Sequence, residues 1–337
     1  MTIDTVLEVT DLHVAYGQTE IVRGLDLRIG RGEKVGVVGE SGSGKSTLAL
    51  AVLGLLGRGG RISAGRVSVL STDIARLPQR RLDAVRGKDL SLVFQDPLTS
   101  LDPVKTIGAQ IREAIRTHQR RLTRSQQDAR AVELLTAVGV AEPAHRLGQY
   151  PHEFSGGMRQ RVLIAIAIAN NPAVVIADEP TTALDVTTQA QVMEVFDGLV
   201  RDLGISVVLI THDLGVVAEF CDRVNVMYAG RIVETGPTGE LFSHPAHPYT
   251  QALLASLPLP GRDRSAPLRW IPGAPPSLAT LPPGCPYAPR CAAAHETCRT
   301  GEPALATVGT RPGGHSAACV LVDENRQALD TEESNDD

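Results

Sequence analysis

The chain has 337 residues, a net charge of −5 and 42% hydrophobic side chains, which is enough for a sizeable core and suggests more than one domain. Aromatic residues make up 3%, too few for the stacking platforms of single-stranded nucleic acid, and the acidic balance argues against a partner bound through its phosphates. No apolar run approaches the length that spans a bilayer, and the start lacks the regions of a secretory signal. We therefore expect a cytosolic protein without a nucleic-acid partner.

The first predicted elements are two strands on either side of a turn. Residues 7–9 and 25–29 have strand-like patterns, and Tyr16 lies between them, about one hairpin before a phosphate-binding motif. From that place its ring can stack on an adenine. A half-buried strand tyrosine is the alternative interpretation, and spacing alone favours it.

The next stretch, residues 39–46, reads GESGSGKS and fits the pattern G-x-x-x-x-G-K-[ST] of a phosphate-binding loop. The apolar run 35–38 predicts a buried strand before the loop, and residues 47–56 predict a helix after it. Glycines let backbone N–H groups turn inward around a phosphate, and the start of the helix adds partial positive charge. Lys45 suits the β- and γ-phosphates, and the Ser46 hydroxyl suits magnesium. The predicted nucleotide contacts are Gly39, Ser41, Gly42, Ser43, Gly44, Lys45, Ser46 and Thr47.

Polar side chains follow three further apolar, strand-like runs. Gln95 ends one run, Asp178 and Glu179 end the second, and His212 follows the third. The carboxyl ends of parallel strands meet at the edge where α/β sheets bind ligands. Asp178 suits magnesium, Glu179 suits polarising an attacking water, and Gln95 suits magnesium or that water, unless it caps a turn. His212 is predicted to face the phosphates, although lone histidines are usually structural. Asp185 lies near the start of the next predicted helix and is a further candidate nucleotide contact.

Helical patterns interrupt these strands. Apolar residues recur at helical spacing over 106–138, with a capping-box pattern at Thr123, which predicts a helical insert. Further on, Ser155 is a predicted N-cap, and Gly156 and Gly157 leave the first-turn N–H groups bare. This arrangement predicts a second anion site, because two glycines weaken a helix without structural gain.

The composition changes after Pro237 to a proline-rich segment with its own cysteines, spaced C-x5-C-x6-C-x20-C, while Cys221 lies apart. Four thiolates suit a four-iron cluster or structural zinc. Zinc sites usually contain a tight C-x2-C pair, which is missing here, and disulfides are unusual in the cytosol, so free thiols are the third alternative. His295 and His315 are near enough in sequence to be alternative ligands. The candidate ligands are Cys285, Cys291, Cys298 and Cys319.

Together, these motifs resemble the ATP-binding subunit of an ABC transporter. The motifs, in order, are Tyr16, the phosphate loop, Gln95, Ser155-Gly156-Gly157, Asp178-Glu179, Asp185 and His212. The resemblance implies an α/β P-loop NTPase core of the RecA-like type, with an antiparallel β subdomain and a helical insert. It also implies ATP and Mg²⁺ as ligands, ATP hydrolysis, and a head-to-tail dimer in which each ATP lies between one subunit's phosphate loop and the other's Ser155. The general signature begins with leucine and ends with glutamine, where this chain has Phe154 and Met158.

The segments 94–103, 150–162 and 247–250 are similar to those of oligopeptide and dipeptide importers, although Asp102 is more often asparagine there. The resemblance, over residues 5 to about 320, implies a peripheral subunit at the cytoplasmic face of the membrane. Its implied partners are two membrane-spanning permease subunits, a second, paralogous ATPase subunit and an extracytoplasmic solute-binding protein. It further implies that the four cysteines bind a [4Fe-4S] cluster. Nickel or another small solute is the alternative cargo, and a soluble ABC ATPase is less favoured because sustained heptads and a second cassette are missing.

The predicted division follows from these patterns. Residues 1–240 form the nucleotide-binding domain, with a helical subdomain at about 96–165. Residues 241–322 form an irregular extension with the four cysteines, and the acidic segment 323–337 is predicted to be a disordered tail.

Overall fold

The structure is a computed structural model, and it describes residues 4–182, 184–257, 270–309 and 314–322. These residues form two β-sheets surrounded by helices. The strands are β1 (Thr5–Tyr16), β2 (Thr19–Gly30), β3 (Lys34–Val38), β4 (Gly60–Val69), β5 (Thr72–Asp73), β6 (Leu90–Val93), β7 (Val174–Asp178), β8 (Ser206–Thr211), β9 (Arg223–Tyr228), β10 (Arg231–Pro237), β11 (Ala306–Thr307) and β12 (Ser316–Ala317). The helices are α1 (Lys45–Val52), α2 (Gln79–Val85), α3 (Pro97–Ser100), α4 (Ile107–His118), α5 (Arg124–Ala137), α6 (Pro143–Arg146), α7 (Gly156–Ala167), α8 (Val186–Leu203), α9 (Leu214–Phe220), α10 (Thr238–Ser243) and α11 (Pro248–Ala255), with 3₁₀ turns at Pro151–Glu153, Ala288–Arg290 and Glu296–Arg299.

The smaller sheet is antiparallel and has the strand order β2-β1-β4-β5. β1 and β2 form the hairpin predicted around Tyr16, and Tyr16 pairs with Thr19 at its closed end. One face of these strands is buried together with the apolar side of α1, including Leu48 and Val52. The phosphate loop at the start of α1 therefore lies between the smaller and the larger sheet.

The larger sheet has the strand order β11-β12-β10-β9-β3-β8-β7-β6. Its central strands, from β9 through β3, β8 and β7 to β6, pair in parallel. Parallel strands covered by helices on both faces are expected to be continuous apolar runs, and β8 is buried along its whole length. The parallel direction places the carboxyl ends of β3, β6, β7 and β8 at one edge, as the sequence predicted.

The helical insert is present, with α4, α5 and α7 packed on one another. Thr123 and Gln126 form the predicted capping box, in which the Gln126 backbone N–H donates to Thr123 Oγ1 at 3.3 Å and the Thr123 N–H to Gln126 Oε1 at 2.8 Å. The helix predicted over 47–56 is shorter, because it ends at Val52 and Gly54 follows with a φ of 63°.

The C-terminal residues join the larger sheet through β12. Its residue Ala317 pairs with Glu234 of β10, and Ser316 pairs with Thr235. The predicted domain boundaries remain predictions, and the predicted tail 323–337 lies outside the described residues. In the described part of the chain, no helix combines the length and the apolar character needed to cross a membrane.

Candidate nucleotide-binding site

The phosphate loop connects β3 to α1 and is packed tightly against β9 and β2. A Cβ on Gly39, whose φ is 154°, would lie 2.1 Å from the Met227 carbonyl oxygen. A Cβ on Gly44 would lie 3.0 Å from the Ile21 carbonyl oxygen. Larger residues are therefore excluded at both ends of the loop by backbone atoms that cannot move aside.

Lys45 is folded into this loop and is 6% exposed. Its ammonium donates to the carbonyl oxygens of Gly39 at 2.7 Å and Glu40 at 2.9 Å. Burial lowers the pKa of Lys45, and the nearby carboxylates of Glu179 and Asp178 oppose that shift. The cation is thus held at the loop by weak neutral acceptors, which phosphate oxygens can replace with stronger, charged contacts.

Asp178, at the end of β7, lies beside the first residues of α1. It accepts a hydrogen bond from the Ser46 side chain, and burial raises its pKa. Its Oδ1 atom is buried and has no hydrogen-bond partner among the described residues. A buried carboxylate oxygen without a donor is a costly arrangement that a cation relieves. The side chains of Ser46 and Asp178 therefore fit a magnesium ion, and their role as its ligands stays a prediction.

Glu179, the next residue, is fixed in position by its backbone. Its φ is 49°, in the left-handed region, and its N–H donates to the Ile210 carbonyl oxygen of β8 at 2.8 Å. Such a conformation in a residue with a side chain costs energy and is typical of functional sites. The turn aims the carboxylate across the ends of β7 and β8.

The structure brings the three predicted catalytic side chains together. Glu179 Oε1 lies 3.2 Å from His212 Nδ1, and Glu179 Oε2 lies 3.4 Å from Gln95 Nε2. Thr182, which the sequence reasoning missed, donates to Glu179 Oε2 at 2.7 Å. Burial, the largest influence, would raise the pKa of Glu179, but the hydrogen bonds from Thr182 and His212 hold it below its ordinary value. Glu179 is therefore ionised at neutral pH and able to accept a proton.

Tyr16 lies at the end of β1 and is half-buried. Its ring packs on Gly60, where an added Cβ would lie 2.8 Å from the ring atoms. This packing agrees with the alternative interpretation, in which Tyr16 is an ordinary half-buried tyrosine of a strand. Adenine stacking on the Tyr16 ring stays a prediction.

Ser155 caps α7, as predicted, by accepting from the Met158 N–H at 3.3 Å. The interpretation that its two glycines have no structural purpose is wrong for Gly157. A Cβ there would lie 2.2 Å from Thr188 Cγ2, so Gly157 lets α7 and α8 approach closely. A Cβ on Gly156 would lie 3.5 Å from Leu184 Cδ2, which is an ordinary van der Waals contact, so packing does not require a glycine at this position.

Asp185 caps α8, since it accepts from the Thr188 N–H at 3.0 Å and from Thr188 Oγ1 at 2.6 Å. These bonds explain the residue without a nucleotide. The nucleotide contacts predicted for Asp185, for Ser155 and for the two glycines stay predictions.

Comparison with known proteins decides the family. Residues 22–182 match the family described as "ABC transporter", and residues 233–298 match "Oligopeptide/dipeptide transporter, C-terminal region". "Oligopeptide transport ATP-binding protein OppD" of Mycobacterium tuberculosis is 50% identical over 318 residues, which cover 93% of this chain and 51% of that protein. "Dipeptide transport ATP-binding protein DppD" of Bacillus subtilis is 42% identical over 96% of this chain and 97% of its own.

The chain belongs to the ABC transporter family, in its branch of oligopeptide and dipeptide transport ATP-binding proteins.

Solved structures of ABC ATP-binding cassettes agree with the fold. The "post-hydrolysis state of the ATP-binding cassette MJ0796 bound to ADP and Pi" has a TM-score of 0.61 and 28% identity, and covers 69% of this chain and 98% of that one. The "cbiO1 from clostridium perfringens", part of an ABC transporter complex, has a TM-score of 0.63 and 29% identity over 72% of this chain and 92% of that one. This chain spans 51% of the length of the mycobacterial proteins that it matches, which are therefore about twice as long as the matched region.

The ABC ATPase fold explains why the polar side chains meet at the carboxyl ends of β7 and β8. The four C-terminal cysteines do not belong to that group of side chains. The four C-terminal cysteines line one cavity of about 20 Å³, together with His247 and Tyr287. This volume has room for about one water molecule. All four are free thiols, and burial raises the pKa of Cys285 and Cys319, with Cys298 adding to the effect.

The four thiols therefore line the same cavity, but they are not placed to bind one metal ion together. Within the residues that the structure describes, no group of three or more His, Cys, Asp or Glu side chains is placed to hold a metal ion. The prediction of a [4Fe-4S] cluster gains no support from this placement, and the cavity must widen to admit one. The alternative ligand His315 pairs with Glu234 at 2.8 Å, which removes it from the candidate set. Cys221 lies under β3, and burial raises its pKa to about 12.

Proposed function

We propose that this chain is the ATP-hydrolysing subunit of an ABC importer that takes up oligopeptides or dipeptides. The observation that carries the proposal is the convergence of Lys45, Asp178, Glu179 and His212 beside the phosphate loop, in a chain of this family. The match to the oligopeptide/dipeptide C-terminal region supports a peptide cargo. Nickel or another small solute is the alternative that the same fold would serve.

The residues divide the work as follows. The N–H groups of the phosphate loop and Lys45 bind the β- and γ-phosphates of ATP. Mg²⁺, held by Ser46 and Asp178, would neutralise charge that develops on the phosphates. Glu179, which is ionised at neutral pH, accepts the proton of the attacking water. Gln95 and His212 contact its two oxygens and keep the carboxylate aimed.

A single chain supplies half of each proposed composite site. The hydrogen bond of the Ser155 side chain stays within α7, and the bare N–H groups of Gly156 and Gly157 suit an anion from another subunit. We therefore propose a head-to-tail pair with a second, paralogous ATPase subunit. Two membrane-spanning permease subunits and an extracytoplasmic solute-binding protein complete the proposed complex, with this chain at the cytoplasmic face of the membrane.

Transport assays test the proposal. The complex is reconstituted with its binding protein in liposomes, ATP is enclosed on the side of this subunit, and uptake of a labelled peptide pool is compared with uptake of ⁶³Ni²⁺. We expect ATP-dependent uptake of peptide that is lost with Lys45→Ala and retained with Lys105→Ala, a lysine on the exposed surface. Nickel uptake without peptide uptake would replace the cargo, and ATP hydrolysis by a soluble particle without permeases would overturn the proposal.

The cysteine site is a separate part of the proposal. We propose, from the resemblance to importers with such an extension, that Cys285, Cys291, Cys298 and Cys319 ligate a [4Fe-4S] cluster, for which the cavity that they line would have to widen. The test is anaerobic purification followed by iron and sulfide analysis and a visible spectrum. We expect about four irons and about four sulfides per chain, because this is the composition of one [4Fe-4S] cluster, which four cysteines ligate. A colourless protein with zinc, or with titratable thiols and no metal, would overturn the assignment.

A further inference from the structure

One residue of the phosphate loop, Glu40, is held by residues from the far end of the chain. Arg290 Nη1 donates to Glu40 Oε2 at 2.6 Å, and Arg290 Nη2 donates to Glu40 Oε1 at 3.0 Å. The pair is bidentate, the geometry in which arginine binds a carboxylate most strongly. It joins the loop to the 3₁₀ turn Ala288–Arg290, although 250 residues separate the partners.

Arg290 is held rigidly in this position. Its side chain is 5% exposed, its Nε donates to the Pro272 carbonyl oxygen at 2.8 Å, and its Nη1 also lies 3.2 Å from Tyr228 Oη. The guanidinium lies 5.9 Å from the ring centroids of Tyr228 and Tyr287. A buried arginine whose three side-chain nitrogens all have hydrogen-bond partners is held in place more firmly than an arginine in a surface ion pair.

The backbone of Glu40 is held from the same side. Its N–H donates to Tyr249 Oη at 2.8 Å, and Tyr249 is fully buried. The Tyr249 ring packs on the rings of Tyr228 and Tyr287, at centroid distances of 4.5 Å and 5.4 Å. Tyrosine and arginine together thus fix both the backbone and the carboxylate of Glu40.

The remaining polar group of Glu40 connects to the catalytic lysine. Its carbonyl oxygen accepts from Lys45 Nζ at 2.9 Å. Rotation of the Glu40 peptide would therefore move the acceptor that holds the ammonium. The contacts run without a gap from Arg290 and Tyr249 through Glu40 to Lys45.

We propose that Arg290 is a positioning residue for ATP binding, which acts by fixing Glu40 and hence the shape of the phosphate loop. The inference deepens the proposed ATPase function and rests on it. Arg290 does not touch the nucleotide in this account. Without it, the loop samples other conformations, and the binding-competent fraction falls, which raises the apparent Kd for ATP.

A matched ion pair serves as the control. Glu302 also joins the C-terminal region to the core, through Arg23 at 2.5 Å and Arg231 at 3.1 Å, but it makes no contact with Glu40. Glu302→Gln therefore weakens the attachment of the C-terminal region and leaves the grip on Glu40 intact. If Arg290 is no more than a staple for the C-terminal region, Arg290→Met and Glu302→Gln should have the same consequences.

The experiment measures the Kd of a fluorescent ATP analogue for the full chain, with Mg²⁺, together with the melting temperature. We expect Arg290→Met to raise the Kd about ten-fold, since a charged hydrogen-bonded pair is lost, while Arg290→Lys restores part of the affinity. Glu302→Gln should lower the melting temperature and leave the Kd unchanged. In the assembled complex, Arg290→Met should raise KM for ATP and leave kcat near that of the wild type.

A second variant keeps the test valid if Arg290→Met does not fold. Glu40→Gln, at a partly exposed position, removes the charge and one of the two acceptors of the same pair from the loop side, and the effects of the two changes on Kd should be non-additive in the double variant. A wild-type Kd in Arg290→Met, or an equal rise of the Kd in Glu302→Gln, would overturn the inference. Absence of ATP binding by the wild-type chain would instead overturn the proposed function, and this is seen before any variant is compared.

Discussion

The sheet edge that carries Asp178 and Glu179 and the C-terminal region that carries the cysteines are built in different ways. At the edge, each polar side chain follows directly after an apolar strand, and parallel pairing alone brings the side chains together. In the C-terminal region, position depends on contacts with distant residues, such as Arg290 with Glu40 and β12 with β10. The comparison teaches that the chemistry is set by local pattern, while the rigidity of the phosphate loop depends on residues that local pattern does not mark.

The largest effect is expected at the edge, from Glu179→Gln. The change keeps the hydrogen-bond partners of the side chain but removes the base, so ATP hydrolysis by the assembled complex should fall by about 10²–10⁴-fold. ATP binding should remain near that of the wild type. Glu133→Gln, on the exposed surface of α5, is the matched control and should hydrolyse ATP normally. Equal turnover by Glu179→Gln and wild type would contradict the assignment.

Lys45→Ala tests the phosphate loop itself. It removes the cation that the loop carbonyls hold, and ATP affinity should fall by roughly 10–100-fold, the value of one or two charged hydrogen bonds. Titration of the full chain with ATP measures this change. An unchanged Kd would show that the phosphates bind elsewhere.

Ser155→Arg distinguishes the two proposed composite ATP sites of one complex. The arginine should obstruct the composite site whose phosphate loop belongs to the partner, while ATP binding to this chain's own loop is unaffected. Ser155→Ala, which removes the N-cap and costs about 1 kcal/mol of stability, is the control for the helix. Single-turnover hydrolysis in complexes with one altered subunit measures the effect. Loss of ATP affinity in the isolated chain would contradict the composite arrangement.

The smallest predicted effect is the pH dependence of stability that comes from His247, in the C-terminal region. Burial lowers the pKa of His247 to about 4, and its Nδ1 accepts from the Tyr249 N–H at 3.0 Å, so the folded chain needs the neutral ring. The unfolded chain binds this proton below about 6.5. The contribution of His247 to stability is therefore complete above that pH and is lost as the pH falls toward 4, on the order of 3 kcal/mol in total.

His247→Asn tests this statement, because asparagine can replace the cap without titrating. Urea unfolding between pH 7 and pH 4.5 should show a shallower loss of stability in this variant than in the wild type. His152→Asn, at an exposed position, should retain the wild-type slope. Parallel slopes for His247→Asn and wild type would contradict the account.

Much of the sheet edge and of the helix starts could be predicted from the sequence, because their signals are local. Ser155 and Asp185 precede apolar helical patterns and cap helices, and Thr123 forms its capping box. The need for Gly157 could not be predicted, since the clash that it avoids is with Thr188 of another helix. The left-handed backbone of Glu179 likewise has no sequence signal, because glutamate is not a residue that favours it.

The C-terminal region could be predicted only as a change in composition. Proline-rich segments carry no periodicity that indicates what they pack against, so the sequence does not predict the partners of Arg290 and Tyr249. The cysteine spacing indicated four thiols at one place, and they do line one cavity. The spacing does not determine how far apart the thiols lie.

Hydrogen–deuterium exchange of the phosphate loop tests the central claim, that the C-terminal region holds this loop in shape, most directly. The full chain is measured without nucleotide as wild type, Arg290→Met and Glu302→Gln, and the peptide covering residues 39–45 is followed. The account predicts faster exchange of this peptide in Arg290→Met, because the Glu40 contacts are lost, and wild-type exchange in Glu302→Gln. Equal exchange of this peptide in Arg290→Met and wild type would contradict it.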